Sequence, residues 1–375
     1  MPKLTWTVLN GATDITSKIL SMNIQQGREK YLDPYSGGSC TFTINNSSDY
    51  ASGITYGNRI QVSTNGVNDF LCIFWVQEVI FNDHPGNTGL NTATITAVDW
   101  ISRSGRILAN NFNLTQALCR TQMELFQYSY SGPLPLDMDV SSGGLNGGST
   151  AAAITYTGSV NNYLNLLMAT ERGYAVLRSS YLYFIERPFV SSFAPIATTI
   201  GPTTSTTQIA YDDFDRIQNG TQFINTATVQ PNGLAEQTVV NSASITTYGA
   251  ASYSSSTVDY TTTQATGNGQ WIVNNFSNPS SLRFQCSLSD TSQNATALAS
   301  WMSQCWGTTN RVTTFSYQVP GGSLTSLNLV LEGFSVNITP EQTTFDLSFS
   351  PLQYYQFFTL DSTTLGILDT SRLGW

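Results

Sequence analysis

The sequence predicts a mainly β protein carrying α+β insertions, on three observations. First, stretches in which apolar and polar residues alternate recur along the chain, as in Cys40-Thr41-Phe42-Thr43-Ile44. Such alternation puts one face of a strand on a core and the other in solvent. Second, charged residues make up only 10% of the chain, against about 25% in a typical soluble domain. Ser, Thr, Asn and Gly take their place, and the many Thr, Tyr, Phe and Val residues favour strands over helices. Third, few stretches carry helical spacing. The 375 residues are enough for two or more domains with sizeable cores.

The chain is organised around residues 14–46. Asp14-Ile15-Thr16 leads into Ile19, Met22 and Ile24 as spaced apolar residues, and Gly27-Arg28-Glu29 closes that segment. A Gly-rich turn follows (Asp33-Pro34-Tyr35-Ser36-Gly37-Gly38), then the alternating strand to Ile44, stopped by Asn45-Asn46-Ser47-Ser48-Asp49. Before it, Leu4 to Leu9 alternates. After it, residues 58–63 and 91–98 alternate, and residues 70–81 are long and apolar, as in a core strand that bends. Short strands at this spacing predict a small barrel over residues 1–110. Asp99 ends the last of them, just before Trp100-Ile101.

Asn113 is placed to cap a helix over residues 114–126, where Leu114, Leu118 and Leu125 give helical spacing. Residues 141–149 are Gly/Ser-rich and read as a loop. Ser159 caps a second helix with Val160, Tyr163, Leu164, Leu167 and Met168 on one face, and Gly173 stands at its C-terminal stop. Strands Tyr174–Leu177 and Tyr181–Arg187 then turn at Ser179-Ser180. A Pro/Ser/Thr-rich linker covers residues 191–207. Strands are predicted within residues 217–230 and at Gln237–Val240. A Ser/Thr/Asn-rich stretch separates them from a helix over residues 291–305, with Ala295, Leu298, Ala299, Met302 and Cys305 on its apolar face. Residues 311–319, 334–339 and 343–350 read as further strands, with Pro340-Glu341-Gln342 as a turn.

The formal net charge is −9, and all three lysines (Lys3, Lys18, Lys30) lie near the start. This argues against a basic nucleic-acid groove, which needs clustered Lys or Arg. An acidic wall would instead let DNA pass without sticking, and a solvated acidic surface explains the charge equally well. The five cysteines, Cys40, Cys72, Cys119, Cys286 and Cys305, are widely spaced without metal-like pairing, and are expected as reduced thiols in a protein folded in a cytoplasm. Met1-Pro2-Lys3 leads straight into a strand pattern, so no signal peptide is expected. The longest apolar run, residues 70–76, is far too short for a membrane-spanning helix.

Chemistry is sparse. The single histidine, His84, sits in a Pro-Gly turn, and no Gly-x-Ser-x-Gly elbow accompanies it. Asp212-Asp213-Phe214-Asp215 lacks the Gly and distal Glu of a calcium loop. Asp137 and Asp139 are two carboxylates without the rest of a glycosidase site. No catalytic, cofactor-binding or metal-binding residue is assigned, no cofactor is expected, and the chain reads as a non-enzyme.

Several segments resemble the tail hub (baseplate hub) proteins of long-tailed bacteriophages. They are the Asp14-Ile15-Thr16 strand, Gly27-Arg28 after the next strand, and the Gly38-to-Asn45 strand. Further on, the strand ending at Asp99 precedes a short helix. The helix–Gly173–strand–turn–strand unit resembles the hubs' small α+β insertion. Asn225-Thr226-Ala227-Thr228-Val229 and the Ser244-Ile245-Thr246-Thr247-Tyr248-Gly249 unit fit as well, as do the Ala-rich helix with its Arg311-led strand and the terminal Arg372-Leu373-Gly374-Trp375. The chain departs at Ile73-Phe74-Trp75, where the family usually has a glycine.

The resemblance implies two small β-barrels per subunit, one over 1–110 and one combining 208–240 with 310–350. It also implies α+β insertions at 111–190 and 241–309, and a docking arm at 351–375. By the family, three subunits close a ring whose six barrels adapt a six-fold tail tube to a three-fold tip. The implied partners are the tail-tube or distal tail protein, the tape-measure protein and tip or fibre proteins. DNA would pass through the channel without sequence-specific binding, and host envelope contact is a further expectation. Such a protein assembles in the host cytoplasm and resides at the virion tail tip. The alternative is a carbohydrate-binding adhesin whose Tyr and Trp residues stack on sugars. A cell-wall hydrolase is a third class. An outer-membrane barrel also ends in an aromatic residue, but the two internal helices argue against it.

Overall fold

The computed structural model describes residues 4–34, 36–64, 72–130, 149–178, 181–185, 193–218, 222–279, 282–291, 294–306, 310–319 and 321–355. Strands β1 (Trp6–Asn10), β2 (Thr13–Asp14), β3 (Ile19–Gly27), β4 (Ser36–Asn45), β5 (Arg59–Thr64), β6 (Cys72–Asn82) and β7 (Thr92–Val98) form an antiparallel run in spatial order β3-β4-β7-β6-β5-β1-β2. The alternation in β4 sets the register. Phe42 lies opposite Met22 on one side and Ile95 on the other, and Cys40 lies opposite Ile24 and Ala97. All six are buried, whereas Thr41 is exposed. A one-residue slip would turn the whole apolar set to solvent, so the pattern fixes the pairing. Beyond a bulge at Val76/Glu78, the end of β6 leaves the core. Ile80, Phe81 and Leu90 at this hairpin are 47%, 45% and 57% exposed.

Helix α1 (Trp100–Ser104) leads into the first insertion. There β8 (Leu108–Leu114) pairs with β11 (Ile154–Ser159), and β9 (Ala117–Leu118) with β10 (Thr150–Ala151). The helix expected over 114–126 starts later, as α2 (Cys119–Tyr130). Asn113 is not its cap but a strand residue facing Thr155, whose Oγ1 donates to Asn113 Oδ1 at 2.6 Å. Pairing with β11 overrides the helical spacing. Leu114 is buried in the strand, Leu125 is exposed, and the inward helix face is Cys119, Met123 and Phe126.

Helix α3 (Val160–Glu171) matches its prediction. Ser159 Oγ accepts from Asn162 N at 3.3 Å, and all five predicted apolar residues are buried. Its left-handed terminal residue is Arg172, with φ 59°, not Gly173. Strands β12 (Tyr174–Arg178) and β13 (Tyr181–Ile185) pair as the expected antiparallel hairpin. Its turn, Ser179-Ser180, and Arg187 lie outside the described residues, as do residues 141–148.

The remaining chain returns to the main sheet. Where the sequence predicts a linker, β14 (Thr199–Gly201) runs parallel to β15 (Gln208–Ala210), with Ile196 and Ile200 buried. After β16 (Asp213–Gln218) the chain leaves the main sheet again. Strands β17 (Thr226–Pro231), β18 (Gln237–Val240) and β19 (Ser252–Thr257) form a separate sheet, order β18-β17-β19. The 226–240 hairpin therefore stands outside the sheet in which the second barrel was expected. A 15-residue helix, Thr262–Phe276, covers it, with Gly269 seated over Val229 and Val239.

The sequence offers this segment only as a Ser/Thr/Asn-rich stretch. Its Thr, Asn and Gly residues are weak helix formers, and packing of Ala265, Ile272 and Phe276 onto the sheet carries it. Conversely β20 (Leu282–Ser289), in the expected second insertion, pairs with β16 and belongs to the main sheet. The predicted 291–305 helix is Ala295–Trp301, continued by one π turn over Met302–Trp306.

β21 (Val312–Gln318), β22 (Leu324–Ile338) and β23 (Thr343–Pro351) complete the 14-stranded sheet. β22 joins its parts: it pairs with β21, with β23, and through Gly333–Ile338 with β3. Among the described residues no ladder closes the sheet into a barrel. Aromatic side chains fill the second part, with Phe214 4.5 Å and Tyr211 5.6 Å from Phe315.

All five cysteines are buried and none is in a disulfide. Burial pushes the Cys40 and Cys286 thiols far up and the Cys305 thiol to about 12. Because the thiolate is the reactive form, the native protein is expected to be inert to a thiol-disulfide reagent. All five thiols should react once it is unfolded in guanidinium, and titration of released thiol before and after denaturation checks this.

Candidate functional site

The residues weighed for chemistry do not converge. His84 is exposed at a hairpin tip, and Asp213 and Asp215 are exposed on β16, beside a depression of about 270 Å³ that Asp346 also lines. Among the described residues no three His, Cys, Asp or Glu side chains gather to hold a metal. Asp137 and Asp139 lie outside those residues.

What does converge is a buried polar knot where β3 crosses β22. Gly27 ends β3 at φ +90°, and a bulge between Leu331 and Gly333 turns Glu332 out of the β22 ladder. The backbones touch: a Cβ on Gly27 would lie 2.2 Å from Glu332 O, and one on Gly333 2.6 Å from Arg28 O. Only glycine permits both that φ and that approach. The crossing brings Arg28 Nε to 2.7 Å from Glu332 Oε2, with the side chains 7% and 0% exposed. Tyr355 Oη donates to Glu332 Oε1 at 2.8 Å and accepts from Arg28 Nη2 at 3.1 Å.

Arg28 also lies 4.7 Å over the Tyr31 ring, and its Nη2 donates to Gly173 O at 3.4 Å. Tyr31 Oη donates to Arg172 O at 2.5 Å. Burial alone would lower the Arg28 pKa, but the Glu332 charge, with Tyr355 and Tyr31, holds it above its ordinary value. Burial, then the Glu332 charge, pushes the Tyr355 hydroxyl well up. The knot thus ties the main sheet to the end of α3 and to the last described residues. It is an ion pair satisfied on every side, which is the condition for a buried charge to persist. The Gly27-Arg28 motif was legible in the sequence. Its partner Glu332 was not, because 303 residues separate the two and a bulge aims Glu332.

A second buried carboxylate fixes the start of the first insertion. Asp99 Oδ1 accepts from Ser102 N at 2.9 Å, capping α1, while Oδ2 accepts from Gly38 N at 2.6 Å. Burial outweighs these bonds and raises the Asp99 pKa to about 7. A carboxyl whose folded pKa exceeds its unfolded one stabilises fully below the unfolded value, near 4, and that contribution is lost as pH rises through the folded value. Stability is therefore expected to fall between pH 5 and pH 8, and Asp99→Asn should flatten that fall. Denaturant midpoints at both pH values check it.

Beside the knot lies a cleft of about 680 Å³, between α3, β19 and the segment around Tyr31 to Pro34. Met168 and Tyr253 line its walls, and Arg172, 4% exposed, lines it as well.

Neither a protein-family model nor a curated protein matches the chain. Solved structures do. A tail protein from Neisseria meningitidis superposes with a TM-score of 0.64 at 10% identity, covering 93% of this chain and 97% of that one. The chain has the fold of phage tail proteins. The 43 kDa tail protein of prophage MuSo2 from Shewanella oneidensis shares this tail-protein fold with a TM-score of 0.58 at 11% identity, over 95% and 98% of the chains. A type VI secretion component of E. coli, itself similar to the T4 tail proteins gp27 and gp5, matches with a TM-score of 0.51 at 8% identity, over 93% and 77%. In this tail-protein fold the knot sits where the long shared strand meets the first run of strands.

Proposed function

We propose that the chain is a structural hub of a phage tail tip or baseplate. Three copies form a ring that closes the tail tube and adapts its six-fold symmetry to a three-fold tip. The observation that carries this reading is the tail-protein fold, shared along nearly the whole chain with tail proteins of similar length. The architecture supports it. β1–β7 form one apolar-lined half, and β14–β16 with β20–β23 form another, joined on β22. Each half serves as one barrel-like unit, so three subunits supply six.

The segments between β8 and β13 and between β17 and the Thr262–Phe276 helix are the outward insertions. The low charge and the exposed Ile80, Phe81 and Leu90 suit a surface covered by neighbours. The partners in this reading are the tail-tube or distal tail protein, the tape-measure protein, and tip or fibre proteins. DNA crosses the ring without sequence-specific contacts, and the protein acts without catalysis at the virion tip after assembly in the host cytoplasm. Light scattering on the purified protein tests the ring. The expected mass is three times the 40.9 kDa of one chain, and a single-chain mass at every concentration would count against it.

A further inference from the structure

We infer that the cleft beside the knot docks an extended peptide of another polypeptide, which adds a strand to the open edge of β19 and sets an acidic side chain against Arg172. Strand β19 pairs with β17 alone, in parallel. Thr226 N donates to Ala251 O and Asn232 N donates to Thr257 O, both at 3.0 Å. In a parallel ladder the bonding residues of a strand alternate. The odd-numbered residues of β19 therefore bond β17, and the main-chain groups of the even-numbered ones face the other edge. Val258, just past the strand, keeps this parity: its carbonyl accepts from Ala152 N at 2.8 Å and its N–H donates to Thr170 Oγ1 at 2.9 Å. Ser254 and Ser256, the even residues before it, are exposed and line the cleft. Among the described residues no hydrogen bond engages their main-chain groups. The edge is thus used at Val258 and open at the two serines.

Buried polar atoms at the same cleft define what the peptide carries. Arg172 is 4% exposed, its Nη2 donates to Ser255 Oγ at 3.1 Å, and its Nε has no partner. Asn165 Oδ1, on the same lining, is buried without a partner too. The guanidinium asks for an acceptor and the amide oxygen for a donor, since an unmade hydrogen bond at a buried group is costly. A peptide with a carboxylate side chain supplies both. Charge favours the acid. Arg28, also on the lining, is neutralised by Glu332, whereas among the described residues no carboxylate forms an ion pair with Arg172. Asp259 feels the Arg172 charge, but its oxygens accept from Thr257 Oγ1 and Asn268 Nδ2. Asp33 on the opposite wall accepts from Lys30 N at 3.2 Å.

The register of the added strand follows. Residues directly opposite one another in a sheet point to the same face. Arg172 meets the Ser255 side chain, so the peptide residue opposite Ser255 is the one directed at Arg172, and it carries the acid. The residues two before and two after it share that face and meet the apolar lining from α3, Leu166 and Met168. Those between them pair with Ser254 and Ser256 and point outward with these exposed serines. The recognised sequence is therefore apolar-x-Asp/Glu-x-apolar in an extended chain. Main-chain bonds supply the affinity and the alternate side chains the selectivity. A sugar offers no such row of groups at strand spacing. The site is complete within one chain, so it holds whether or not the ring forms.

Selection from a random peptide library against the full-length protein tests it. Bound peptides should share the apolar-x-acid-x-apolar pattern. For the tightest of them, replacing the acid by its amide should weaken binding about tenfold or more, the loss of a charged hydrogen bond. Ser254→Pro removes one cleft-facing N–H without touching the β17 ladder, and should abolish binding. Should Ser254→Pro fail to fold, Ala169→Phe, which fills the cleft from α3, should have the same effect. A selection without the pattern, an amide peptide that binds as tightly as the acid, or binding unchanged in a folded variant would overturn the assignment.

Discussion

Replacing Glu332 with alanine is expected to lower the unfolding free energy by about 3–5 kcal/mol, the cost of stranding a buried charge. Arg28 would keep its guanidinium at a site where its side chain is 7% exposed, with only Tyr355 Oη and Gly173 O left as the acceptors described above. Arg28→Ala should cost a similar amount, because it strands the Glu332 carboxylate instead. The two losses should not add. In the double variant Arg28→Met/Glu332→Leu no charge is left unpaired, and apolar replacement of a buried pair is often nearly neutral. The double variant should therefore be more stable than either single one in guanidinium unfolding. Strict additivity would show that the two side chains do not act as a pair.

Gly27→Ala is the second large effect, expected at about 3 kcal/mol or more. Two costs combine. A side chain at φ +90° is strained by about 1–3 kcal/mol, and a Cβ placed 2.2 Å from Glu332 O forces the strands apart, with overpacking costing a further 1–3 kcal/mol. Because β22 is shared by β3, β21 and β23, the displacement would loosen the join between the two halves of the sheet. Gly11 is the control. It too has positive φ, +59°, but nothing lies within 4 Å of its Cβ position. Gly11→Ala should show strain alone, and denaturant titration of both variants separates the two costs.

Legibility in the sequence followed the locality of the forces. Strands β3, β4 and β7 were readable because their alternation is enforced by one buried face, and α3 because Ser159 and its apolar stripe act within a few residues. The start of α2 was misread because Phe112 and Leu114 satisfy strand pairing with β11, a partner some forty residues away. The Thr262–Phe276 helix was missed because its stability comes from the sheet beneath it. The second half of the sheet was only partly legible, since β14 is a three-residue strand and β20 is recruited by β16 and β23, which lie far away in the chain. At the candidate site, Gly27 and Arg28 stood out as a motif. Glu332, Tyr355 and Arg172 carried no sequence signal, because a bulge, a short 3-10 turn over Leu352–Tyr355 and a left-handed residue aim them.

Electron microscopy of the purified protein, with class averages taken down the particle axis, tests the hub reading most directly. The account predicts rings of three-fold symmetry with six similar lobes around an open centre, two lobes from each chain. Isolated single chains at every concentration, or rings of another order, would contradict it.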